Sequence, residues 1–414
     1  MDPWDLRLFQ LSNIIGFTPF RVNKSTRLLQ KVRWKSVQGL YFLLVAAISL
    51  AFLIYYCGSF YLLMTRKGVA FSMRTSSWIG ATAIICAVQW TLIMRHEKIV
   101  THLNEAYLLL GQKSEASLKW QRDKKTYFIF GFLIFGVVPM VSISGHIILA
   151  PGDIYMHNLL EAYTQGFDPI WRIVSNVIHC YATVICTFGT FFCDSLLVFF
   201  ALGYFRHFEE INENLMPVKG ATVHTPASRL GGQNIIAVEL LTDASEKSPE
   251  ESELPWTWTY LRTNLRRHLR LQHSLDSMNY KFDVIILAFP LQIFLMVLAI
   301  FFSIARDELS DQLEIMIYCS LGVQFLVRSF IGIYNFGKVH DSGSDAKYIL
   351  IRDLQIQNHH HLLEPGMIFE IESFLATGDD VAFKAGSYLA FKKSSLISYY
   401  GALASYMALM VQSF

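Results

Sequence analysis

Long apolar runs separated by polar segments set the plan of the chain. Seven runs are long enough to cross a bilayer as helices: Val37–Met64, Ser76–Met94, Thr126–Leu149, Ile173–Tyr204, Phe282–Ile304, Leu313–Phe336 and Ser394–Phe414. The second is the weakest, short and carrying Gln89 and Trp90. The fourth exceeds one crossing, so it tilts or runs on beyond the membrane. The pattern predicts an all-α membrane protein with a leading segment over 1–36 and spans one to four over 37–204. A loop follows over 205–281, then spans five and six over 282–336, a helical segment over 337–393 and a last helix over 394–414.

That last helix has no charged side chain. Ser395, Ser398, Ala402, Ser405 and Gln412 recur at steps that place them on one stripe. A helix surrounded by lipid has no use for such a stripe. Two readings stand at this level: close packing against other helices, or one wall of a water-filled path.

Composition agrees with the spans. Of 414 residues, 53% are hydrophobic and 16% charged, against about 25% charged in soluble domains. A net charge of +2 by itself implies no nucleic-acid partner; membrane lipid is the expected surrounding. The placement of the charges says more. The leading segment holds seven Lys and Arg, and the second loop, counted from Arg95, another seven. The stretch from Ala150 to Trp171 has none, and the fifth loop only Arg306. The positive-inside rule then predicts a cytoplasmic N-terminus and an extracellular end for the seventh helix. This is the inverse of a G-protein-coupled receptor.

Between the spans, 217–255 is rich in Gly, Ser, Thr, Pro and acidic residues and reads as a flexible linker. From Trp256 to Lys281, Leu261, Leu265, Leu269 and Leu271 sit among basic residues, a helix leading into span five. Asp353–Leu363 and Met367–Leu375, separated by Pro365-Gly366, add helical patterns that complete a predicted cytosolic helical anchor layer. Leu6, Phe9, Leu11, Ile14, Ile15 and Phe20 make the leading segment either an amphipathic or re-entrant element or an ordinary solvated tail.

Candidate chemistry is sparse. Cys57, Cys86, Cys180, Cys186, Cys193 and Cys319 lie inside apolar runs without metal-ligand or redox spacing. His359, His360 and His361 point three ways on a helix, so no metal or cofactor is expected. No cleavable signal pattern precedes the first span. Nucleotide-binding glycine loops, nucleophile elbows and HExxH patterns are missing from the sequence, which argues against an enzyme.

Polar residues inside the spans are few: His146, Asn176, His179, Asp194, Gln292, Gln324 and Arg328. Each faces the bundle interior, because lipid penalises it. Asp194 and Arg328 stand at depths where they can pair. His146, Asn176 and His179 fall in the outer halves, with Trp78, Trp171, Tyr181, Phe301, Phe302 and Tyr318 nearby. Aromatic faces with a few hydrogen-bonding groups suit a small organic ligand; the plainer alternative is polar groups that only hold helices together.

The C-terminal stretch resembles the insect gustatory receptor family, part of a larger group that includes the odorant receptors. The family ends its seventh helix with Thr-Tyr, five mostly apolar residues and Gln-Phe; here Ser405-Tyr406 precedes Met-Ala-Leu-Met-Val, then Gln412-Ser413-Phe414. Phe383-Lys384-Ala385-Gly386 and Gly401-Ala402 also match family positions, as does the leading Ile15-Gly16-Phe17-Thr18-Pro19-Phe20. Ser405 keeps the threonine hydroxyl, whereas Ser413 replaces an apolar residue.

The resemblance implies a homotetrameric, ligand-gated, nonselective cation channel in the plasma membrane, opened by a small-molecule tastant. Four seventh helices would form its pore. Gln412 and Ser413 would stand at the outer gate with Leu409 one turn below, and Ser405, Ala402 and Ser398 farther along the wall. A heteromer with related receptors is the variant reading. The rivals are a G-protein-coupled receptor, a transporter, and an odorant-type or partner subunit that needs another receptor to sense the ligand.

Overall fold

A computed structural model describes residues 1–23, 25–67, 69–112, 114–138, 169–216, 258–305, 312–357, 365–377, 380–386 and 389–413. The chain divides into two compact units. One comprises Met1–Glu210, Arg270–Gly343 and Asp380–Phe414, the other Ile211–Leu269 and Ser344–Asp379.

The leading segment folds. Helix α1 (Pro3–Ile15) opens on a capping box: the Asp2 carboxylate accepts from Trp4 N and Asp5 N, and the Asp5 side chain accepts from Asp2 N. It closes at Gly16, whose φ of 77° takes the left-handed form a side chain resists. Strands β1 (Phe20–Val22) and β2 (Leu29–Lys31) then pair antiparallel. Leu8 and Phe9 are fully buried, and Phe9 meets Phe192 edge-on at 5.5 Å, so this segment is packed rather than a solvated tail.

Helices α2 (Val37–Lys67), α3 (Val69–Met94), α4 (His96–Leu110) and α5 (Glu115–Gly131) follow. The basic second loop of the sequence is therefore largely helical. The α3–α4 pair bends by 83° at Arg95, which forms an ion pair with Asp283 at 2.9 Å. The break thus falls where the apolar run meets a charge. Helix α5 runs on as a π-helical stretch over Phe132–Val137; the rest of the third predicted span, His146 included, lies outside the described residues.

Helix α6 (Pro169–Leu215) is 47 residues long, as an over-long fourth span requires. Helices α7 (Trp258–Lys281), α8 (Asp283–Ala305), α9 (Gln312–Gln357), α10 (Pro365–Ala376) and α11 (Ser394–Ser413) complete the helical set, with a two-residue hairpin, β3 (Lys384–Ala385) and β4 (Leu389–Ala390), ahead of α11. Among the described residues, Val37–Tyr55, Val184–Leu215 and Asp283–Ile304 are long and apolar enough to span by composition alone, and the bent α3–α4 pair adds a fourth. In α9, Gln324 and Arg328 dilute the apolar run, and in α11 serines, glycine and tyrosines do so.

Aromatic packing fills the larger unit. Phe191, Phe192, Phe199, Phe200 and Tyr204 of α6 are buried, and Phe336 stacks on Phe383 at 4.7 Å. Such pairs contribute about 0.5–1.5 kcal/mol beyond area burial. In the smaller unit, Met367, Ile371 and Phe374 form one buried face of α10, and His268 meets Phe374 edge-on at 5.0 Å. Glu370 forms an ion pair with Arg262 at 2.9 Å. Leu261 and Leu265 are buried, whereas Leu269 stays partly exposed because the helical turn carries it off that face. The predicted linker 217–255 and the tract His359–His361 lie outside the described residues.

Candidate functional site

Helix α11 has one covered face. Leu403 is 3% exposed, with Tyr399, Tyr400 and Met407 half-buried beside it. From Ser398 onward its small and polar stripe turns the other way: Ser398, Ala402, Ser405 and Gln412 are exposed, and Leu409, on the same side, is 60% exposed, whereas Ser395 is half-buried and accepts from Lys392 N at 3.0 Å. Packing against the chain's own helices therefore does not account for the stripe. Ser405 bonds the carbonyl of Gly401 within its own helix at 2.8 Å. The side chain of Ser413 lies outside the described residues.

Two adjacent tyrosines attach the covered face. The Tyr399 hydroxyl donates to the Pro290 carbonyl of α8 at 3.2 Å, while its ring meets Phe294 edge-on. Tyr406, of the family-like Ser-Tyr pair, also meets Phe294, at 5.7 Å and 90°. The Tyr400 hydroxyl reaches α9, 2.9 Å from the Leu326 carbonyl and 2.8 Å from Ser329 Oγ. A phenol in an apolar helix needs such a partner, yet nothing in the sequence shows which carbonyl it finds. Tyr399, Tyr400, Ser329 and Pro290 are residues that sequence reasoning missed.

One residue before Ser329, Arg328 bonds the Asp194 carboxylate of α6 through Nε at 2.8 Å and through a second nitrogen. Both side chains are buried, and the guanidinium lies over the Phe325 ring at 5.2 Å. The pairing that the sequence makes possible is made. One turn earlier on α9, the Gln324 amide donates to the Ile134 carbonyl, inside the π-helical stretch where the regular backbone ladder is interrupted. Gln292 likewise finds Thr190 at 2.9 Å across α8 and α6.

The aromatic group predicted for a ligand pocket is partly described. Gly332 lies against Phe289 and Gly322 against Ile300, so α8 and α9 run antiparallel in a register that sets Phe302 level with Tyr318. Both are buried, and Phe301 is half-buried. The Tyr181 hydroxyl lies 3.3 Å from that of Tyr41, which itself donates to the Ile14 carbonyl. The side chains of Trp78, Trp171, Asn176 and His179 lie outside the described residues.

Gly386 ends β3 with φ of 63°, so the hairpin turn before α11 uses a left-handed backbone. Asn279 clamps the segment, donating to the Ala382 carbonyl at 2.8 Å and accepting from Lys384 N at 3.0 Å. The Phe-Lys-Ala-Gly sequence thus supplies a buried ring and a turn that fix where α11 starts.

A family model described as 7tm Chemosensory receptor matches residues 6–413. The chain belongs to this chemosensory receptor family. The receptor's fold is similar to that of the insect olfactory receptor OR5 from Machilis hrabei, with a TM-score of 0.69, 13% identity and coverage of 99% of this chain and 98% of that one. The same olfactory receptor in complex with eugenol gives a TM-score of 0.70, also at 13% identity and with the same coverage. No curated protein matches the receptor in sequence. The receptor is an all-α, multi-pass membrane protein, and its family and fold are those of receptors rather than enzymes.

Proposed function

We propose that the receptor is of gustatory type and acts as a ligand-gated, nonselective cation channel of four copies, opened by a small organic tastant. The observation that carries this reading is the stripe of α11, small and polar yet uncovered by its own chain. Its polar stripe fits a uniformly lipid-facing surface less well, and its lack of charge fits a charged conduit less well. In this reading Ser398, Ala402, Ser405 and Gln412 line the pore, Leu409 closes it by dewetting, and Ser413 borders its mouth. Phe302 and Tyr318 belong to the ligand pocket with Phe301, Tyr181, Trp78, Trp171, His146, Asn176 and His179. The N-terminus is cytoplasmic, and the unit of Ile211–Leu269 and Ser344–Asp379 contributes the cytosolic anchor layer.

Purified protein in planar bilayers tests the reading, with eugenol as the first probe because it occupies a receptor of the same fold. The expected result is discrete, ligand-evoked openings that pass several monovalent cations. A protein that stays monomeric, or whose Ser405→Cys variant resists water-soluble thiol reagents, overturns it. The likeness to an olfactory receptor supports a second reading, an odorant-type receptor or partner subunit. Current that requires a co-expressed relative would favour that one.

A further inference from the structure

We propose that Tyr400 is a positioning residue through which the buried Arg328–Asp194 pair sets the placement of α11. The inference rests on the channel reading above and adds how the pore helix is held.

Three oxygens meet at this point. Tyr400 Oη lies 2.9 Å from the Leu326 carbonyl and 2.8 Å from Ser329 Oγ, and Ser329 Oγ lies 2.8 Å from the same carbonyl. Two hydroxyl protons serve three contacts, so only two can be hydrogen bonds at once. Tyr400 can donate to Leu326 or to Ser329 without leaving the site. The attachment therefore has more than one satisfied arrangement on α9, which is what an element that shifts needs.

The acceptors are not free to move alone. Ser329 follows Arg328 directly, and Arg328 is held by Asp194 on α6. Separating two buried charges costs far more than redirecting a hydroxyl. When α6 moves relative to α9, this part of α9 follows Asp194, and the acceptors of Tyr400 go with it. Tyr399 donates to the Pro290 carbonyl of α8, and it too lies within the influence of Ser329 and Arg328.

Leverage then favours the far end of the helix. Leu409 is nine residues beyond Tyr400, about 13 Å along α11 at about 1.5 Å per residue. A tilt of about 5° at Tyr400 moves Leu409 by about 1 Å.

The test is a double-mutant cycle read as unliganded open probability of the purified full-length protein in planar bilayers. Tyr400→Phe and Asp194→Asn should each change it by about tenfold, and the double variant should stay within about twofold of one single variant. Unitary conductance and permeability ratios should not change. Should Asp194→Asn fail to assemble, the cycle is run with Ser329→Ala against Tyr400→Phe, with the same non-additive result expected. Wild-type behaviour of Tyr400→Phe, or multiplication of its effect with that of Asp194→Asn or Ser329→Ala, overturns the inference alone. A wild-type protein that never conducts overturns the channel reading and this inference with it.

Discussion

Lys124 Nζ lies 2.7 Å from Asp5 Oδ2, with Asp2 on the same ammonium and the Trp120 ring centred 3.6 Å away. Asp5 and Lys124 are at most 1% exposed, so helix α1 is fastened to α5 by an almost dry ion cluster. Burial, set against the pull of Lys124, raises the Asp5 carboxyl to about 6. Lys124→Met would leave two carboxylates without their cation. The expected cost is about 3–5 kcal/mol, measured as loss of hydrogen-exchange protection in α1. Adding Asp2→Asn and Asp5→Asn should restore part of it.

His102 predicts an acid limb. It is buried in α4, its Nε2 has no hydrogen-bond partner, and burial, then the charges of Lys281 and His273, push its pKa down to about 4. Glu105, 4.0 Å away, is exposed and too well solvated to reverse the sign. The unfolded chain takes the proton first, near an ordinary histidine pKa of about 6.5. Stability from this site is therefore present above about pH 6.5 and falls as the pH drops toward 4. Thermal inactivation of detergent-solubilised protein should accelerate over that window, by on the order of 1–3 kcal/mol in stability. His102→Gln should flatten the profile.

Leu409→Ala should raise basal current in the proposed channel, because four smaller side chains wet the constriction more easily. Patch recordings without ligand check this; unchanged leak together with unchanged ligand response would remove Leu409 from the gate.

Phe302→Ala and Tyr318→Ala should each raise the ligand concentration needed for half-maximal current, by about 10-fold or more for a lost aromatic contact. Dose–response curves measured with ion substitution check both halves of the claim. Altered permeability ratios would mean that these rings line the conduction path instead.

Gly386→Ala should cost about 1–2 kcal/mol, since a Cβ there meets no neighbour within 4 Å and only the left-handed backbone resists it. Gly386→Asn should cost less. Comparing the thermal stability of the two variants separates backbone strain from loss of a functional contact.

Much of the fold was legible in periodicity. The second and fifth apolar runs end within a residue of where α3 and α8 end, because Arg95 and Arg306 stop them. The helices α4 and α5 were not legible, since their buried faces share the segment with seven basic residues that masked the signal. Leu269 shares its helix with the buried Leu261 and Leu265, but the helical turn carries it outward. At the candidate site, the stripe on α11 was readable from spacing alone. Its attachment was not: Tyr399 and Tyr400 find carbonyl acceptors on α8 and α9, and a carbonyl carries no residue identity.

Taken alone, the order of residues determined an all-α membrane protein with a charge-free last helix, because lipid dictates apolar length and a helix dictates spacing. Tertiary structure decided which groups met: Arg328 with Asp194, Lys124 with Asp5, Tyr181 with Tyr41. Those choices depend on helix register and tilt. Both are set by side chains meeting across elements far apart in the chain, where sequence periodicity carries no information.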